Sequence, residues 1–183
     1  DLGLIDPNVS AGAESWGVGS LVGCLENGTI INCYVEGGSV SGCEDVGGLV
    51  GYNENGTITD CYSYSGDVMG RYGVGGLVGT NLGTVTDCYV NGGSVEGEHY
   101  VGGLAGQNWG TITNCYSTGS VSGTGWAVGG LVGANLSTIN NCYSTGTVLG
   151  YSAVGGFVGD NRDGTISKCY STGDVAGDTL VGG

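Results

Sequence analysis

The stretch Val74-Gly75-Gly76-Leu77-Val78-Gly79, continued by Gly83-Thr84-Val85-Thr86-Asp87-Cys88-Tyr89, decides the fold, because close variants of it recur six times in 183 residues. The openings fall at Val18, Val46, Val74, Val101, Val128 and Val154, spaced 26–28 residues apart. The copies reach their Cys-Tyr pairs at Cys33, Cys61, Cys88, Cys115, Cys142 and Cys169. A fixed period of this size marks a solenoid, in which one unit buries its apolar side only against its neighbours. Each copy divides into three short β-rich runs separated by corners that carry Gly or Asn, which predicts a three-sided β-coil with three strands per turn. The expected fold is therefore all-β, a parallel β-helix with equivalent strands ~4.8 Å apart. Six full coils and the start of a seventh occupy residues 18–183. Residues 1–17 read as an incomplete N-terminal coil, since Asn8-Val9-Ser10 matches the Ser39-Val40-Ser41 type of strand.

Irregularities between copies support this register. The first, second and sixth copies carry one extra residue between Gly23 and Gly28, Gly51 and Gly56, and Gly159 and Gly164. The first three carry another between the tyrosine and the next valine, as in Tyr34 to Val40 against Tyr116 to Val121. Both sites are predicted corners, where insertions are tolerated. Stacking turns repeat positions into columns. Three are expected to be core: Ile30 to Ile166, Leu21 to Phe157, and Val40 to Val175. Asn53, Asn81, Asn108, Asn135 and Asn161 form an amide column that can hydrogen-bond along the stack. Tyr34 and its five equivalents form an aromatic ladder, suited to packing and also to binding surface carbohydrate.

Composition removes several function classes. Gly supplies 43 residues and Pro one, without the triplet period of collagen. Hydrophobic residues make up 39% and recur in register, which argues against disorder. Seventeen acids face three bases, a net charge of −14, so the basic footprint that nucleic acid requires is missing. The sequence has no apolar run long enough for membrane insertion. Divalent cations, calcium among them, are the natural small partners of such a surface. The candidate ligands are Asp60 and Asp87, acids in adjacent rungs of one column. A solvated acidic surface that keeps the protein soluble accounts for the same charge.

Eight cysteines suggest an oxidising, extracellular setting. The six ladder cysteines (Cys33, Cys61, Cys88, Cys115, Cys142, Cys169) are candidates for disulfides between adjacent coils, as 33–61, 88–115 and 142–169 or in the offset pairing. Their Cα spacing allows a bridge, whereas parallel Cβ vectors oppose it. The alternative is a column of buried thiols acting as small hydrophobes. Cys24 and Cys43 lie off the column, as candidates for bridges to a neighbouring molecule.

With Gly48-Leu49-Val50-Gly51 and Gly130-Leu131-Val132-Gly133 as representative cores, the repeat resembles the GLUG motif of bacterial secreted and surface proteins, over residues 18–183. The resemblance implies an extracellular structural or adhesive role, since such repeats lie outside the catalytic domains of large exported proteins, immunoglobulin A peptidases included.

Catalysis finds little support. His99 is the single histidine, the acids are spread among the copies, and no His-Glu-x-x-His motif occurs. The expected function is instead structural, without enzymatic activity. Terminal coils left open offer unpaired strand edges, here Asp1, Leu2 and Leu4 at one end and Val181, Gly182 and Gly183 at the other. Two such ends predict open head-to-tail self-assembly into filaments or tubes. Two alternatives stand beside it: an adhesin or stalk segment of a larger surface protein, and an ice-binding solenoid using the rows Thr57/Thr59, Thr84/Thr86 and Thr111/Thr113.

Overall fold

The computed structural model describes residues 2–183; Asp1 lies outside the described residues. All 33 elements are β-strands, arranged in five parallel sheets of six or seven strands that run the length of a solenoid. One turn illustrates the plan. Tyr72–Gly75 lies in the first sheet, Val78–Asn81 in the second, Thr84–Thr86 in the third, Tyr89–Asn91 in the fourth and Ser94–Gly97 in the fifth. Equivalent residues pair coil on coil, Ile58 with Val85, Val74 with Val101 and Tyr62 with Tyr89.

Each turn thus carries five short strands where the run pattern suggested three. The difference arises mainly inside Val-Gly-Gly-Leu-Val-Gly, which reads as one run but folds as two strands joined by a sharp bend. Glycine makes that bend feasible. A Cβ on Gly75 would overlap the carbonyl oxygen of Val78, and one on Gly79 would run into the backbone joining Asp45 to Val46. The first and second sheets therefore approach backbone to backbone, closer than side chains allow.

The interior falls into two apolar columns. The larger holds the Leu49, Leu77, Leu104 and Leu131 column with Ile58, Val85, Ile112 and Ile139, and the ladder cysteines. The smaller zips the first-sheet valines, Val46 to Val154, against the fifth-sheet valines, Val40 to Val148. Valine suits both because its branched side chain packs well on a pleated surface.

Corner geometry explains the irregular repeat lengths. The residue added to the first, second and sixth copies is Asn27, Asn55 or Asp163, each with φ between 52° and 62°. In the first three copies the turn after the fourth strand contains Gly37, Ser65 or Gly92, again at positive φ. Each extra residue turns left-handed and bulges outward, and the ladder hydrogen bonds on either side are kept. Gly, Asn and Asp are the residues that tolerate this conformation best.

Candidate functional site

Four columns and two end faces carry the chemistry of the rod. The amide column is continuous: the Nδ2 of Asn53, Asn81, Asn108 and Asn135 each donates to the Oδ1 of the next asparagine, at 2.8, 2.9, 2.9 and 2.8 Å. Asn53, Asn81, Asn108 and Asn135 are fully buried, so these bonds replace water. The column begins with an orphan. The Oδ1 of Asn53 has no partner, because the residue paired with Asn53 in the coil before is Leu25, which has no amide to offer.

The tyrosine ladder is also unbroken. Successive rings from Tyr34 to Tyr170 stack within 5° of parallel, with centroids 4.8–5.1 Å apart. Burial within the stack, then the neighbouring phenols, push the ionisation of Tyr116 and Tyr143 above its ordinary value. The threonine rows point outward on the third sheet, flanking the inward isoleucine or valine. They are interrupted where Ile31 pairs with Thr59, and where Asn140 and Ser167 replace threonine.

Asp60 and Asp87 stand in the corner column Asn32, Asp60, Asp87, Asn114, Asn141 and Lys168, every member of which has φ of 53–55°. The left-handed turn is itself a reason for aspartate and asparagine here. Asn114 donates to Asp87 Oδ1 at 2.9 Å, and Asn141 donates to Asn114 Oδ1 at 2.7 Å. Among the described residues, no group of three or more His, Cys, Asp or Glu converges as a metal-binding set.

All eight cysteines are free thiols in this structure, so none of the candidate bridges is formed. Cys61, Cys88, Cys115 and Cys142 are buried in the larger core column, whereas Cys33 and Cys169 at its two ends are half-buried. The backbone N–H of Cys33, Cys61, Cys115 and Cys142 each donates to the sulfur of the cysteine one coil on, at 3.3–3.4 Å. Their sulfurs also face the carbonyl two residues back, at 3.1–3.3 Å in Cys33, Cys61, Cys88 and Cys115. Cys24 is exposed on the second sheet, and Cys43 lies half-buried before the first.

His99 is absorbed into the stack. Its Nδ1 accepts the Trp126 N–H at 3.0 Å, its ring stacks on Tyr72, and Glu98 lies 3.3 Å from its Nε2. Arg71 is held by the same Glu98 at 2.7 Å. Sequence reasoning missed a small surface hollow lined by Tyr100, Gln107, Trp109, Asp160 and Arg162. Its residues come from three different copies and share no motif.

Each end face presents one edge from every sheet. Leu2–Ile5, Asn8–Ser10, Trp16–Gly19, Val22–Glu26 and Thr29–Ile31 border the N-terminal face. Val158–Asn161, Thr165–Ser167, Tyr170–Ser171, Val175–Ala176 and Thr179–Gly182 border the other. Leu2 and Val181 are about half-exposed, at 50% and 47%, and Leu4 is partly covered. The C-terminal face encloses a concavity of about 520 Å³ lined by Phe157, Ile166, Cys169, Tyr170 and Val181, together with Gly182 and Gly183.

Parallel strands stacked in register around two continuous apolar columns define a β-solenoid repeat protein. The sequence pattern described as "The GLUG motif" matches six times, at residues 14–41, 42–68, 70–96, 97–122, 124–149 and 150–176, and the chain belongs to that family. Among solved structures, the fold is similar to that of "a putative immunoglobulin A1 protease from Bacteroides ovatus", with a TM-score of 0.75 and 23% identity. The match covers 97% of this chain and 60% of that one, and at this identity the likeness is one of fold. No curated protein matches.

Proposed function

We propose that the chain is a structural, non-catalytic rod of an exported protein, lengthened at its end faces by further coils. The observation that carries this reading is the continuity of the columns. The asparagine and tyrosine ladders pass through five and six successive coils without a cleft or a change of partner. Hydrogen-bonded and stacked columns of this kind resist bending and shear, which is what a spacer or fibre requires. Membership of the GLUG family and the fold shared with a longer bacterial protein support a place outside the cell. The polar groups of His99 and Glu98 are engaged within the stack, in keeping with a structural use.

Thirty-three strands at five per turn make six turns and three strands. If a second copy is stacked with like columns aligned, its fourth-, fifth- and first-sheet strands pair with the C-terminal face, and its second- and third-sheet strands sit one level too high. Seamless continuation needs those two strands from elsewhere. The fold shared with a solved chain of which this one spans 60% supports a stalk within a longer surface protein, whose flanking chain would supply them. End-to-end joining of identical copies is the second reading, favoured by the five open edges on each face. It requires a rotation of two-fifths of a turn.

Negative-stain microscopy and light scattering on residues 1–183, alone and with the two missing strands appended, test both. The stalk reading expects short rods alone and long filaments only after the strands are added. Filaments from the chain as it stands support self-joining. Flexible or globular particles in both samples would overturn the structural reading itself.

A further inference from the structure

Six cysteines stand in a single column, one per coil, without converging on a common point. The tyrosines that follow pair parallel and in register, and the N–H of Cys61 and of Cys115 each meets the sulfur one coil on, so the cysteines recur once per coil along one column. The tyrosine rings in the next position record that spacing as 4.8–5.1 Å. A disulfide needs sulfurs ~2.05 Å apart and Cβ atoms drawn to ~3.8 Å. Parallel side chains one coil apart oppose that closure, and all six are free thiols. Taking the ~2.3 Å of a zinc–sulfur bond as a guide, two metal–sulfur bonds in line span about 4.6 Å, close to the coil spacing.

We propose that this column binds soft monovalent cations of the Cu(I) and Ag(I) class, each held linearly between the sulfurs of two successive coils. Soft thiolate ligands select such ions. Zn(II) requires four ligands in a tetrahedron, and calcium requires six to eight oxygens; a single file of sulfurs offers neither. A two-coordinate ion asks only for a pair. A sulfur shared between two ions would have to bond straight up and straight down, against its bent valence geometry. The ions therefore occupy alternate gaps, 33/61, 88/115 and 142/169, three per chain.

Binding balances simply. Two thiols lose their protons, two metal–sulfur bonds form, no atom changes oxidation state, and two protons leave per ion. One net negative charge remains at each pair. The backbone N–H groups of Cys33 and Cys142, which donate to Cys61 and Cys169, are already aimed at a ligating sulfur. Hydrogen bonding to a thiolate favours the charged form.

The test uses the reduced full chain carrying C24S and C43S, so that the two off-column thiols take no ion, refolded with and without Ag(I). Native mass spectrometry is expected to show three silver ions retained per chain. A pH-stat should record two protons released per ion, and X-ray absorption two sulfur neighbours on each silver. In the C88A variant the retained silver should fall from three ions to two. No retained silver, three or more sulfurs per ion, a C88A stoichiometry still at three, or Zn(II) held by the column would each overturn the proposal. If C88A fails to fold, the coordination number in the parent chain decides it.

Discussion

Thr111-Ile112-Thr113 and Thr165-Ile166-Ser167 are almost the same sequence in the same sheet, yet Ile112 is fully buried and Ile166 is 38% exposed. The same contrast separates Val101, fully buried, from Val181, 47% exposed. Nothing in the residues themselves distinguishes them. A coil acquires its core from the coils above and below, so burial here is a property of position in the stack. Middle and end coils are one design in two environments, and their energetics should diverge accordingly.

The largest expected effect lies at the core. Ile112→Ala should cost ~2–5 kcal/mol, as a cavity opens between packed coils. Ile166→Ala should cost about 1 kcal/mol or less, because much of that side chain never leaves water. Urea denaturation of both variants measures the gap, and equal losses would break the comparison. Next comes the amide ladder. Asn108→Ala removes one donor and one acceptor in the buried middle of the column, at ~1–3 kcal/mol. Asn161→Ala, at the exposed end, should cost clearly less.

Alkaline pH sharpens the contrast through the tyrosines. Tyr116 and Tyr143 have raised folded-state pKa values, first from burial and then from neighbouring phenols. A raised value means that the neutral phenol is favoured in the folded rod. That contribution is fully present below the unfolded value of ~10 and is lost as pH rises through the folded values. The Tm should therefore fall steeply above about pH 10, and less steeply in a Y116F/Y143F double variant. Identical alkaline limbs would show that the ladder has no part in it. The smallest effect is expected at the orphaned start of the amide column. Leu25→Asn supplies the missing donor to Asn53, a gain of about 1 kcal/mol that offsets lost apolar burial. Its net change should be near zero, whereas Leu25→Ala should destabilise.

Much of this was legible before any coordinates. The repeat located the solenoid, the inward columns and the corners, and the extra residues at Asn27, Asn55 and Asp163 fell where the insertions were expected. The number of strands per turn was not legible, because Gly75-Gly76 bends the chain without a polar turn residue to mark it. Nor was the left-handed column within the first sheet, where Tyr100, Ala127, Ala153 and Leu180 all adopt positive φ. Tyrosine, alanine and leucine do not advertise that conformation; packing against the neighbouring backbone imposes it. The roles of the aspartates divided differently. Proximity of Asp60 and Asp87 was visible, and the turn geometry they share with Asn114, Asn141 and Lys168 emerged only in three dimensions.

The outward-bulging corner residues carry a mechanical consequence. Since each addition is spent sideways, a repeat of 26 residues and one of 28 climb the axis by the same strand spacing, ~4.8 Å. The molecule is in effect a ruler graduated in repeats and indifferent to their girth. Decorations could be grafted at these bends without altering the distance it spans, and duplicating one copy would add a single graduation.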